Sequence, residues 1–311
     1  VGDQVTLLLG RNGGVAALGQ APGEGALLYG VITKVENQSY DDGSNGTYTA
    51  RTVTVAATDG SAYRYQCSEK SLEEGDLVQV TVGDSDVQVK RLSKATLTGK
   101  VSADGAKLGS YVLADDVQII DTYESHTPVR IYPSRLAEVE LTGDMVRYYA
   151  LNSDGEISHL ILNDVTGDLY QYGIITDVNE VNVSLPTGGF QVSSSYTYDV
   201  GGQELVFASA STIYNLKTGP CQIKMDSDTN VERLYNLTER KLDRVSVSGN
   251  FTVGADKQQY ALSEQVVVYV YENGDYLLSS LSRVASGDYT LTGWYDKSES
   301  AGGRIRVIVA K

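Results

Sequence analysis

Apolar residues in this chain recur mostly at every second position, in short runs that stop at Gly, Asp or Asn. Thr52-Val53-Thr54-Val55-Ala56 alternates, meets Asp59-Gly60 and resumes as Ala62-Tyr63-Arg64-Tyr65. Ser195-Tyr196-Thr197-Tyr198-Asp199 does the same, turns at Gly201-Gly202 and continues as Glu204-Leu205-Val206-Phe207. A period of two puts alternate side chains on one face, and two such runs around a Gly or Asp turn predict a β-hairpin. No segment holds an apolar 3.6-residue period over three turns. Helix is therefore expected only as single turns, at 69–74 and 133–136.

The runs are repeated. A Gly-Asp pair followed by two valine-rich stretches occurs at Gly2-Asp3, Gly75-Asp76, Gly143-Asp144 and, more loosely, Gly287-Asp288. Glycine permits positive φ at a tight turn and aspartate can bond the backbone two residues on, so the phrase reads as the start of a hairpin. A second match sets a longer period. Tyr29-Gly30-Val31-Ile32-Thr33 returns 143 residues later as Tyr172-Gly173-Ile174-Ile175-Thr176. Repeats at such spacing decide architecture before any single residue does.

The predicted organisation is all-β: tandem small barrel or sandwich-like modules in an elongated arrangement. Residues 1–28 form the terminal hairpin of a truncated upstream module. Two A modules (29–94 and 172–243) alternate with two B modules (95–171 and 244–311), and Thr96–Val101 aligns with Ser246–Phe251. Each module has room for five or six strands, and the polar stretches 37–48 and 184–194 are expected to be loop tips.

Composition narrows the function. The 311 residues include 32 Gly, 22 Tyr, 5 Pro, 3 Phe and 1 Trp, and the net charge is -15. Nucleic acid and anionic membrane surfaces both select for basic faces, so neither is an expected partner. No run approaches the roughly 18 apolar residues of a bilayer span, so no membrane insertion is expected. Cys67 and Cys221 are expected to be free thiols, with a long-range disulfide as the alternative.

Candidate chemistry is sparse. His126 and His159 are the only histidines, and both are expected to be solvated. No nucleophile elbow, phosphate loop or dinucleotide fingerprint is present. A glycosidase needs facing carboxylates, but almost all of the acidic residues fall in turns or at outward strand positions. The expectation is no enzyme, no catalytic residue and no cofactor. Asp226, Asp228 and Asn230 place oxygen ligands at alternate positions, as in the first part of a calcium loop. Val231 stands where the loop's glycine belongs, and Leu237 where its glutamate belongs, so these residues form an acidic turn or bind calcium weakly. The tyrosines Tyr63, Tyr65, Tyr148, Tyr196, Tyr198 and Tyr269 are candidate binding residues. If exposed, they offer faces for sugars or proteins; if buried, they supply the aromatic bulk that Phe and Trp do not. Trp294 is expected in its module's core.

The stretch from Gly2-Asp3-Gln4-Val5 to Leu18, followed by Tyr29-Gly30-Val31-Ile32, resembles the repetitive β region of Gram-positive bacterial surface proteins that carry S-layer homology domains. The resemblance implies export and non-covalent anchoring to the cell wall by helical segments absent from this chain. It transfers no functional residue. The reading is a non-enzymatic, extracellular scaffold or stalk on a bacterial cell wall or surface. An adhesin-like module that binds cell-wall glycan or another surface protein is the alternative, and a glycoside-processing enzyme comes third.

Overall fold

The computed structural model describes residues 5–9, 15–20, 22–23, 25–41, 46–83, 86–124, 126–186, 188–226, 230–247 and 250–311, with backbone alone for 5–9, 15–20 and 41. The protein is all-β, about 60% strand and 6% helix. It divides into two compact units, Val1–Val165 and Thr166–Lys311.

In the first unit, β1 (Val5–Leu9) and β2 (Val15–Gln20) pair antiparallel in a two-stranded sheet of their own. Gly2-Asp3, ahead of this hairpin, lies outside the described residues. Module A1 contains β3 (Leu27–Asp41), β4 (Thr47–Ala57), β5 (Ala62–Gln66), β6 (Leu77–Val82) and β7 (Val87–Arg91). Its sheet order is β5-β4-β3-β6-β7, antiparallel throughout. Alternation buries one face, where Ile32, Val53, Val55, Leu72, Val78 and Val80 form the core.

Module B1 contains β8 (Gly99–Lys100), β9 (Lys107–Leu108), β10 (Tyr111–Thr122), β11 (Val129–Ile131), β12 (Glu140–Leu141), β13 (Val146–Leu151) and β14 (Ile157–Asn163). Strand β10 runs parallel to β14 and antiparallel to β9, while β8 pairs with β12. The Ala95 amide donates to the Arg147 carbonyl, bringing the segment ahead of β8 against β13.

The second unit repeats this plan. Module A2 contains β15 (Gln171–Ser184), β16 (Phe190–Val200), β17 (Gln203–Ser209), β18 (Gly219–Met225) and β19 (Val231–Asn236), in the matching order β17-β16-β15-β18-β19. Module B2 contains β20 (Thr238–Ser246), β21 (Phe251–Gly254), β22 (Gln259–Glu272), β23 (Asp275–Ser279), helix α1 (Leu281–Ser286), β24 (Leu291–Tyr295) and β25 (Ile305–Ala310). Strand pairing closes a ring β20–β21–β22–β25–β24–β20, with β22 and β25 the one parallel pair. This is the Greek-key connectivity of a small OB-like barrel, in which closure removes exposed edges.

The repeated Tyr-Gly-hydrophobic-Ile-Thr phrase acquires a cause here. A Cβ on Gly30 would lie 2.3 Å from the Ala56 carbonyl oxygen, and one on Gly173 would lie 2.1 Å from that of Asp199. The neighbouring strand approaches too closely for any side chain. Pairing then slips by one residue at Thr33 and again at Thr176. The two threonine hydroxyls donate to the Thr54 and Thr197 carbonyls, each at 3.3 Å. Both A modules thus carry the same bulge.

Several expectations are corrected. The polar stretches at 37–48 and 184–194 are largely paired hairpin arms, to Asp41↔Thr47 and Ser184↔Phe190; residues 42–45 and 187 lie outside the described residues. Ser246 ends β20 and Phe251 opens β21, paired with each other, so they do not share a first strand; the closed ring begins at Thr238, ahead of 244, and residues 248–249 lie outside the described residues. Residues 133–136 form a 3₁₀ turn, whereas 69–74 holds only turns. The Gly-Asp phrase has no single conformation. Gly75 has φ +86, but Gly143 opens a 3₁₀ turn and Gly287 caps α1, both without positive φ. The Asp76 carboxylate accepts from the preceding Glu73 amide and from the Arg91 guanidinium. Helix α1 buries only Val284, too little to impose an apolar period.

Candidate functional site

Three places concentrate chemistry: the joint between A and B within each unit, and a groove on A1. In the first unit the joint is apolar at its centre. Val31 and Leu77 of A1 pack against Ile120 and Ile161 of B1, with Leu92 and Tyr148 at the margin. Tyr29 stacks on Tyr148 at 5.5 Å and meets the His159 ring at 4.6 Å. Arg147 of β13 donates to the Gly75 carbonyl at 2.6 Å and to Thr122 Oγ1 at 3.0 Å, while Arg130 donates to the Asp59 carbonyl.

In the second unit the corresponding region is ionic. Arg306 on β25 is 1% exposed. Its guanidinium donates to Asp168 Oδ1 at 2.6 Å, Asp296 Oδ2 at 3.0 Å, Ser263 Oγ at 3.0 Å and the Thr166 carbonyl. The Tyr172 ring lies 4.9 Å from it, and the Tyr172 hydroxyl donates to the Gly167 carbonyl at 2.7 Å. Burial acts to lower the arginine's pKa, but Tyr172, Asp296 and Asp168 outweigh it and raise that pKa. Gly167 has φ +68, and a Cβ there would lie 2.2 Å from Asp296 Oδ2, so the clasp requires glycine. Tyr269, in the place of Ile120, donates from its hydroxyl to Asp199 Oδ1 at 2.7 Å. The segment leading into A2 and the A2 sheet are thereby both tied to barrel B2.

The groove on A1 measures about 970 Å³. Arg51 comes from β4; Arg64, Tyr65 and Gln66 come from β5; Lys70 and Asp86 come from the flanking turns. Arg51 donates to the Leu72 carbonyl, but its Nε is buried without a partner, and so is the Tyr65 hydroxyl. Burial, with Tyr63 and Asp59 adding to it, pushes the Tyr65 hydroxyl up to about 12. A smaller depression on B2 holds Arg240 against the rings of Tyr260 and Tyr295, at 3.4 and 4.7 Å. Its roughly 90 Å³ falls well below the ~300–1,000 Å³ of ligand sites.

The tyrosines expected to act together are dispersed. Tyr196, Tyr198 and Tyr269 are buried, which removes them as a binding face, and Tyr63, Tyr65 and Tyr148 are half-buried. The Tyr196 hydroxyl donates to Glu180 Oε1 at 2.6 Å and accepts from the Tyr214 amide. Tyr63 donates to Asp59 Oδ2 at 2.7 Å, and burial pushes its hydroxyl up to about 12. Asp226 accepts from the Asn230 amide and side chain; Asp228 lies outside the described residues. Among the described residues no three His, Cys, Asp or Glu side chains gather where they could hold a metal ion.

The histidines are corrected. His126 is buried, with Nδ1 3.1 Å from the Tyr123 carbonyl, and His159 is half-buried against Tyr29. Burial lowers the His159 pKa, against a smaller upward pull from Asp116 and Asp59. Asp121 and the Asp296 carboxylate are buried, exceptions to the outward placement expected of almost all acidic residues. Cys67 and Cys221 are both buried free thiols. Trp294 is only half-buried. Arg306 was missed because a lone arginine in the apolar run Ile305–Ala310 reads as an outward position; the one signal was that Val307, Ile308 and Val309 leave no polar face for it. Compared with family models, curated proteins and solved structures, the chain matches none.

Proposed function

We propose that the chain is a non-enzymatic scaffold or stalk at a bacterial cell surface, with the A–B pair as its mechanical unit. One observation carries this reading: in both units the B module is fastened to its neighbouring A sheet by buried contacts, not merely strung after it. In the first unit the fastening is the apolar joint capped by Arg147. In the second it is the Arg306 clasp and the Tyr269–Asp199 bond. Inter-module contacts of this kind resist hinge motion, a property a spacer needs and a free-standing binding domain does not. The surface location draws support from the resemblance of the Gly-Asp and Tyr-Gly phrases to repetitive bacterial surface regions.

The test is fractionation of the producing bacterium with an antibody raised against residues 1–311. The reading expects labelling of intact cells and release of the antigen by chaotropes that strip non-covalently held wall proteins. Antigen confined to the cytosolic fraction overturns it.

A further inference from the structure

The duplication supplies an internal comparison for the groove on A1. Strand registers make Val53 equivalent to Tyr196, since each pairs the matching valine, Val35 or Val178. Tyr65 is likewise equivalent to Phe207, and Arg64 to Val206. In A2 this region is filled: Tyr196 stacks on Phe207 and meets Tyr214, both at 6.1 Å, and Arg233 covers Tyr214 at 5.5 Å. Ser194, in the place of Arg51, donates to the Thr212 carbonyl at 2.7 Å. A1 carries the small Val53 below, and its region stays open and lined by polar and cationic side chains.

We infer that the A1 groove binds an anionic glycan, through the carboxylate or sulfate groups of a short stretch of acidic sugars. Arg51, Arg64 and Lys70 face it, against Asp86 as the one lining carboxylate. Among the described residues neither Arg64 nor Lys70 forms a salt bridge. Glu36 pairs with Lys34 at 2.8 Å and Glu69 accepts from the Ser71 amide at 3.0 Å; Arg64 and Arg51 act on these two carboxylates only as more distant charges. A local concentration of cations in a chain of net charge -15 selects a ligand of modest negative charge. A guanidinium matches a carboxylate or sulfate edge, and a tyrosine beside it suits the C–H face of a sugar ring. The unpartnered Tyr65 hydroxyl and Arg51 Nε are buried polar groups whose desolvation a hydroxyl-rich ligand would relieve. An acidic peptide is disfavoured. Ala50, Val87 and Cys67 are the only aliphatic or thiol side chains in the lining, and they make no apolar socket for an anchor residue.

The inference stands apart from the scaffold reading and is tested on the full chain by isothermal titration. The probes are a hexagalacturonate, a heparin-derived hexasaccharide, neutral maltohexaose and a hexaglutamate peptide. One acidic oligosaccharide should bind at one site per chain, weaken with added salt and exceed maltohexaose by about tenfold or more. Arg64→Gln and Lys70→Gln should each weaken that binding severalfold. Tyr65→Phe, which reproduces the residue A2 already holds, should weaken it without changing the circular dichroism melt. The carboxylated and sulfated probes distinguish the two sources of charge. Absence of binding by both acidic sugars at millimolar concentration, equal binding of maltohexaose, tighter binding of hexaglutamate, two sites per chain, or indifference to Arg64→Gln and Lys70→Gln each overturns it.

Discussion

Replacing Arg306 by methionine removes the most enclosed charge in the second unit. The guanidinium is 1% exposed, and its side-chain partners Asp296 and Asp168 are 3% and 18% exposed. Methionine fills the stem of the pocket but leaves the Asp296 carboxylate buried without the Arg306 cation, and removes the Arg306 hydrogen bond to the Thr166 carbonyl. Breaking a buried ion pair from one side costs about 3–5 kcal/mol. For a unit spanning Thr166–Lys311 that is a fall in Tm of roughly 10 °C. Trp294, the sole tryptophan, lies in β24 of this unit, so its fluorescence during guanidinium unfolding reports on the unit directly. Arg306→Lys, which keeps the charge and loses the planar fork, should fall between wild type and Arg306→Met. Adding Asp296→Asn to Arg306→Met should recover part of the loss, because the orphaned charge is gone. A loss below about 1 kcal/mol, the range of an exposed pair, would refute the claim that this clasp holds A2 to B2.

Gly173→Ala forces a Cβ to within 2.1 Å of the Asp199 carbonyl oxygen, and the strand must shift at a cost of about 1–3 kcal/mol; a change under about 0.5 kcal/mol in the same unfolding assay contradicts the close-approach explanation. His159, its pKa lowered by burial, should titrate below the ordinary histidine value of about 6.5 in two-dimensional NMR. The unfolded chain then takes up a proton before the folded one, so stability should fall as pH drops below about 6.5. His159→Gln should flatten that slope, and a midpoint above 6.5 defeats the argument. Cys221 is buried and its thiol is pushed up to about 12 by that burial, so it should resist iodoacetamide at pH 8 until the unit unfolds; rapid alkylation of the native protein excludes this placement.

Much of the fold was legible because strand alternation and turns are local signals. The runs around Asp59-Gly60 and Gly201-Gly202 became β4–β5 and β16–β17 because a period of two leaves no other way to bury one face. The 143-residue repeat carried the A modules across with the same strand order. The B modules were harder, since their first strands share little sequence; Thr238–Ser246 holds only two aliphatic residues, Leu242 and Val245, three apart and not alternating, and both lie in the barrel core. The candidate sites were less legible. Whether Tyr65 lines a groove or, as Phe207 does, fills a core depends on residues brought from other strands, Val53 in one copy and Tyr196 in the other. Arg306 sits among Ile305, Val307 and Ile308 and is stabilised by Asp168, 138 residues away, and by Asp296, in the loop before its own strand. Alternation ranks a residue by its neighbours in sequence, and the clasp is made of neighbours in space.

Stretching the chain between its ends by single-molecule force spectroscopy tests the joined-unit account most directly. If A2 and B2 are one mechanical unit, Thr166–Lys311 unfolds in one event that lengthens the chain by about 50 nm, at roughly 3.6 Å per residue. The first unit should give one event of similar size. Separate events of about 25 nm each, with sheet and barrel yielding independently, would contradict it.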